Sequence, residues 1–179
     1  MLILASQSPR RRELIKKITS DFTVIPANVD ESIIHVPACD LPGELSKMKA
    51  YDIFQRYPND KILACDTVVI IDGEVLGKPH TKEKAFEMLK KLSGRKPVVI
   101  SGYTLISKEK EITRTVRTYV YFNNLSDDLI NQYIETGSPM DKAGAYGIQD
   151  KEFDLVNHIE GSFDNVVGPP TEDIKAHWF

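Results

Sequence analysis

The sequence has 179 residues, 41% of them apolar and 27% charged, an ordinary globular balance that excludes a largely disordered chain. A formal net charge of −3 gives no general attraction to nucleic acid or to an anionic membrane surface, and no apolar run approaches the ~20 residues of a bilayer span. Two cysteines, Cys39 and Cys65, provide no disulfide framework and fit a reduced cytoplasm.

The opening residues 2–5 read as a short buried strand and lack the basic flank of a secretory signal. Ser8 then stands as an N-cap with Pro9 at the first helical position, followed by Leu14, Ile15 and Ile18 as a core face. Residues 22–26 form a second strand candidate. Leu41, Leu45, Met48, Tyr51 and Phe54 recur at helical spacing and predict a helix over residues 41–54. A strand over residues 62–71 meets a hairpin turn at Asp72-Gly73. Thr81 caps the next helix, with Ala85, Phe86, Leu89 and Leu92 facing inward. Two long strands follow at residues 98–107 and 112–122, then a helix opened by Ser126 and closed by Gly137. Residues 141–149 are irregular and Gly-rich. Residues 153–159 and 163–167 read as strands, and residues 171–178 as a terminal helix. No repeat or Gly/Ser linker divides the chain, so residues 1–179 are expected to form one unit, with helices around a mixed sheet.

Two places carry chemistry. Arg10 and Arg11 sit in the first turn of a helix, where a cation is unfavourable unless an anion is bound nearby. Their guanidinium forks suit phosphate oxygens, and Ser6 and Ser8 add hydroxyl donors; a solvated basic turn is the alternative. Asp66 interrupts the apolar strand Ala64-Cys65-Asp66-Thr67-Val68. A carboxylate there must be hydrogen-bonded, metal-bound, catalytic or turned to solvent, because burying it unpaired is costly. Cys65 reads as a small core residue, with no nearby histidine to activate it. The stretch from Gly73 to Pro79 fails as a Walker loop, since its spacing is short and Pro79 stands where Ser or Thr would bind magnesium. Lys78 within it can still act as a point charge. The run from Asp141 to Gln149 would let backbone approach a flat ligand, with Gln149 as a buried amide pairing with a base edge. Tyr119 and Tyr121 could stack a base but more commonly mark plain sheet surface.

The motifs LASQSPRRRELI, ACDTVVIIDGEVLGKP, KLSGR, DKAGAYGIQ and GSFDNVVGPP, in this order and spacing, resemble the Maf family of nucleoside triphosphate pyrophosphatases, the septum formation inhibitor proteins. The resemblance covers nearly the whole chain, and DKAGAYGIQ is similar to the branch acting on dTTP and UTP. It implies an α/β fold similar to that of inosine triphosphate pyrophosphatases: an elongated mixed sheet with flanking helices and a central cleft between two lobes. It implies hydrolysis of a nucleoside triphosphate to the monophosphate and pyrophosphate with a divalent cation, Mg²⁺ or Mn²⁺, in a cytoplasmic enzyme with room for a homodimer. By the same resemblance Asp66 matches the catalytic proton acceptor, and Arg10, Thr67 and Gln149 match the specificity positions. Ser8, Arg11, Glu31, Lys49, Lys78 and Lys142 fall on other motif positions lining the family's cleft, the serine and the cations as phosphate binders. Asp66 is then a general base or the holder of a metal-bound water, with Glu31 as its candidate co-ligand for the metal. Two rival readings are the sister activity on 7-methyl-GTP or another modified nucleotide, and a non-catalytic nucleotide-binding regulator of cell division.

Overall fold

A computed structural model describes every residue from Met1 to Phe179. Its elements alternate along the chain: β1 (Leu2–Leu4), α1 (Pro9–Ile15), β2 (Phe22–Val24), α2 (Leu41–Arg56), β3 (Lys61–Ile71) and β4 (Glu74–Leu76). There follow α3 (Lys82–Leu92), β5 (Val98–Ile106), β6 (Glu111–Phe122), α4 (Asp127–Glu135), β7 (Val156–Glu160), α5 (Phe163–Val167) and α6 (Thr171–Ala176). No helix is long and apolar enough to cross a membrane.

The strands form one seven-stranded mixed sheet in the order β2-β1-β3-β5-β6-β7, with β4 paired to the far end of β3. β1 runs parallel to β2 and β3, while the remaining pairings are antiparallel. Alternation along the central strands buries both faces. Leu2, Leu4, Leu63, Cys65 and Tyr103 pack beneath α1 and α6 through Ile15 and Ile174. Ile3, Ile62 and Ala64 pack on the opposite side against Ala50 and Ile53 of α2. A larger cluster joins the ends of β3, β5 and β6 to α3 and α4.

Local signals fixed most boundaries. Ser8, Thr81 and Ser126 each cap their helix by accepting a backbone N–H, from Arg11, Lys84 and Leu129 respectively. Two expectations fail. The segment Phe163–Val167 is a helix, not a strand. Ser162 caps it by accepting the Asn165 N–H at 3.1 Å. The Asn165 side chain donates to Val116 O at 3.0 Å and Thr118 Oγ1 at 2.9 Å, so the segment lies across the sheet instead of joining it. A five-residue apolar run cannot be assigned by periodicity alone.

The buried face of α2 is also displaced from the predicted one. Tyr51 is exposed and Met48 only half-buried, whereas Gly43, Ser46, Ala50 and Ile53 face inward. The cause is close approach: a Cβ on Gly102 of β5 would stand 2.4 Å from the Pro42 and Gly43 backbone. Helix and sheet therefore meet through small residues, and the large side chains are pushed to the flank.

Candidate active site

The edge of β3 explains where the site lies. Its first three residues, Lys61 to Leu63, pair with β1, and its last residues pair with β4 from Val69 onward. Between these pairings the edge has no strand neighbour, and a cleft of about 660 Å³ opens there. Adjacent strand residues point to opposite faces, so Asp66 turns toward α2 and Thr67 toward α5, yet both reach the same opening.

Asp66 is largely buried and accepts a hydrogen bond from Lys49 Nζ at 3.0 Å through Oδ1. Lys49, on α2, also pairs with Glu31 Oε1 at 2.8 Å, so one ammonium bridges two carboxylates. Burial pushes the Asp66 carboxyl above its ordinary range, and the pull of Lys49 and Arg11 does not cancel it. A carboxylate with raised proton affinity, facing a cleft, suits proton transfer. Cys65, one position earlier, points into the core; burial pushes its thiol up to about 12, so it is inert as a nucleophile.

The loop and first turn of α1 form the opposing lip. Arg11 donates to Ser6 Oγ at 3.4 Å. Ser8 Oγ accepts the Arg11 N–H at 3.3 Å, which leaves the hydroxyl proton of this N-cap free to donate. Arg10 lies 3.7 Å from Asp141, which belongs to the Gly-rich stretch across the cleft. Burial raises the Asp141 carboxyl, but Lys142 and Arg10 lower it further, to a net value below the usual range. Thr67 Oγ1 shares a hydrogen bond of 2.8 Å with Ser101 Oγ.

Every site residue named through the family resemblance lines this one cleft: Asp66, Glu31 and Lys49 on one side, Ser8, Arg10 and Arg11 on the lip, and Thr67, Lys78, Lys142 and Gln149 around the remainder. Two of them differ from expectation in setting. Gln149 is exposed at the rim and not buried, because it lies in the turn that the Asp150 N–H closes on Gly147 O at 3.0 Å. Lys142 is half-buried, with its ammonium donating to Ser138 O at 2.7 Å, Ser138 Oγ at 3.0 Å and Asp141 at 3.4 Å; a phosphate would compete with these partners. Asp141 and Tyr146 also line the cleft with no role assigned to them from sequence, and Ser101 supports Thr67 from behind. Asp141 sits beside Lys142 in the motif, but its pairing with Arg10 is remote in sequence and carries no local signal. The aromatic hairpin is not part of the cleft: Tyr121 stacks on His158 at 4.1 Å on the far strands of the sheet.

The family model described as Maf-like protein matches residues 1–177. The chain belongs to the Maf family. Among its relatives, a dTTP/UTP pyrophosphatase of Thermococcus gammatolerans is 48% identical over 174 residues, covering 97% of this chain and 93% of that protein. A protein of the same name from Thermosipho africanus is 47% identical, covering 97% of this chain and 89% of its own length. The Ham1 protein of Staphylococcus aureus aligns over 68% of this Maf chain and 70% of its own, with 16% identity and a TM-score of 0.49.

Proposed function

We propose that this Maf protein hydrolyses nucleoside triphosphates, dTTP and UTP in particular, to the monophosphate and pyrophosphate. The observation that carries the reading is a largely buried carboxylate of raised proton affinity, Asp66, sharing a cleft with Arg10, Arg11, Lys49 and Lys78. The two relatives described above are named for that activity.

In this reading the triphosphate lies between the α1 lip and β3. Arg10 and Arg11 grip phosphate oxygens with their forked donors, Ser8 donates its hydroxyl, and the exposed Lys78 closes from the β4 side. Lys49 holds Asp66 through Oδ1, leaving Oδ2 to orient a water at the α-phosphorus. The water attacks in line, its proton passes to Asp66, and the bond between the α- and β-phosphates breaks to release pyrophosphate. Thr67 and Gln149 contact the base, Thr67 from the floor and Gln149 from the rim.

The donor set at Glu31 and Asp66 fits a divalent cation. Both carboxylates already converge on one positive charge, and Mg²⁺ commonly takes one or two protein carboxylates together with substrate phosphates. Those two residues would hold it, and it would neutralise charge on the phosphates. The two cysteines, one buried and one half-buried, are unpaired, in keeping with a cytoplasmic setting.

The test is pyrophosphate release from a panel of dTTP, UTP, CTP, ATP, GTP and 7-methyl-GTP, with and without Mg²⁺. Release from dTTP and UTP above the others supports the assignment. Preference for 7-methyl-GTP would move the chain to the sister activity, and binding without release would make it a regulator.

A further inference from the structure

The cleft wall at residues 142–149 carries Lys142 and Gln149 but has little regular structure of its own. It runs through short 3₁₀ turns, with Gly144 and Ala145 at φ of 73° and 62°. Its anchorage comes from α4 and the turn after it. Tyr133 on α4, at 0% exposure, accepts the Gly147 N–H at 2.8 Å and donates its own proton to Asp150 Oδ2 at 2.6 Å. The same Asp150 oxygen accepts the Ser138 hydroxyl at 2.6 Å. Ser138 in turn holds the Lys142 ammonium through its carbonyl and hydroxyl oxygens. One carboxylate oxygen thus ties α4 and the turn after it to the end of the loop, while Ser138 holds the loop's start at Lys142.

The arrangement leaves no slack. A Cβ at Gly147 would lie 2.8 Å from both Asp150 Oδ2 and Lys142 Cε, so only glycine lets the carboxylate come this close. Core packing alone needs only the ring of Tyr133; its hydroxyl spends both of its bonds on the loop. None of Tyr133, Ser138 and Asp150 lines the cleft, so any influence they have on a bound nucleotide passes through the loop.

We infer that Tyr133, Ser138 and Asp150 are positioning residues that set how far Gln149 reaches over the cleft, and through it the choice of nucleobase. The inference rests on the pyrophosphatase reading. Discrimination between bases depends on hydrogen-bond donors and acceptors held to fractions of an ångström. A loop released from Tyr133 loses that register while the phosphate grip at Arg10 and Arg11 stays in place.

The experiment compares Tyr133→Phe, Asp150→Ala and Asp150→Asn with the wild type, measuring kcat and KM for UTP, dTTP, CTP and ATP. Inhibition of Tyr133→Phe by inorganic tripolyphosphate, which has no base, serves as a phosphate-only probe. For Tyr133→Phe the KM of the preferred pyrimidine should rise about tenfold, with its advantage over the poorest substrate shrinking by about the same factor. Its kcat and its tripolyphosphate inhibition constant should stay within about threefold of wild type. Asp150→Asn, which keeps one acceptor oxygen, should retain most of the discrimination that Asp150→Ala loses. Unchanged base ratios in Tyr133→Phe and Asp150→Ala overturn the inference. So does a uniform fall for all nucleotides and tripolyphosphate that follows a lowered Tm. A wild type that releases no pyrophosphate from any nucleotide sinks the pyrophosphatase reading instead, and the two failures are thereby distinct.

Discussion

Asp66 sits where local rules conflict. It occupies an apolar strand that continues into the core, and the fold keeps it there with a single ammonium partner. A carboxylic acid whose folded pKa is raised loses stability as pH rises from the unfolded value of about 4 through the folded one, because the ionised form is the one penalised by burial. Asp66→Asn should therefore lower kcat by about 10²-fold or more while leaving Tm at neutral pH equal to or above that of the wild type. Lys49 keeps Glu31 as a partner in this variant, so no cation is left unpaired. Kinetics and a melting curve on one preparation check both halves. Near-normal turnover would remove Asp66 from the proton-transfer role, and a large drop in Tm would show that its contribution is structural.

At the scale of elements, α2 matters because it carries Lys49 to Asp66, and its depth is set by small residues. Gly102→Ala places a methyl group against the Pro42 and Gly43 backbone, which cannot move without lifting the helix. The expected cost is about 1–3 kcal/mol in denaturant unfolding, with activity falling more than stability as Lys49 withdraws. Gly43→Ala is the matching control, since its Cβ meets only side-chain methyls, of Thr115 at 3.3 Å and Thr113 at 3.6 Å, and alanine favours the helix. α6 is docked differently. Asp173 Oδ2 accepts Tyr103 Oη at 2.6 Å and Arg114 Nε at 2.8 Å, pinning the helix to β5 and β6. Partial burial raises this carboxyl, but the bonds from Arg114 and Tyr103 outweigh it and hold the net value below the usual range. A depressed folded pKa gives stability that is present above the unfolded value of about 4 and lost as pH falls through the folded one. Asp173→Asn should accordingly lower Tm by a few degrees at pH 7, about 1 kcal/mol in a chain of this length, with the gap closing as both proteins are taken into acid through the lowered folded value. A gap that persists in acid would assign the effect to packing.

Over the whole molecule, a net charge of −3 coexists with a cleft whose α1 lip is cationic, with Lys78 on the β4 side. Arg10, Arg11 and Lys78 concentrate positive potential where a triphosphate enters, while acidic residues elsewhere keep the surface from attracting polyanions at large. Raising salt from about 0.05 to 0.5 M should lower kcat/KM for the triphosphate several-fold, by screening the encounter, and change kcat little. A salt-independent kcat/KM would mean that the phosphate contacts form only after entry. The single sheet spanning the chain also explains why the cleft is open to water yet shaped. β1 is too short to cover the middle of β3, and β4 returns only at its end.

Much of this protein was legible in its residues. Caps at Ser8, Thr81 and Ser126, the turn at Asp72-Gly73 and the alternation of β3 are local, since each depends on neighbours a few positions away. The motif residues from Ser8 to Gln149 could be named as members of one site by their resemblance to a family. Their meeting in one cleft was settled by tertiary structure, because it depends on where β1 stops beside β3. The face of α2, the helix at Phe163–Val167 and the bonds among Tyr133, Ser138 and Asp150 came only from the folded chain. Periodicity reports which side of an element is apolar, but how closely two elements approach, and which polar atoms then meet, is decided by the steric fit of residues distant in sequence.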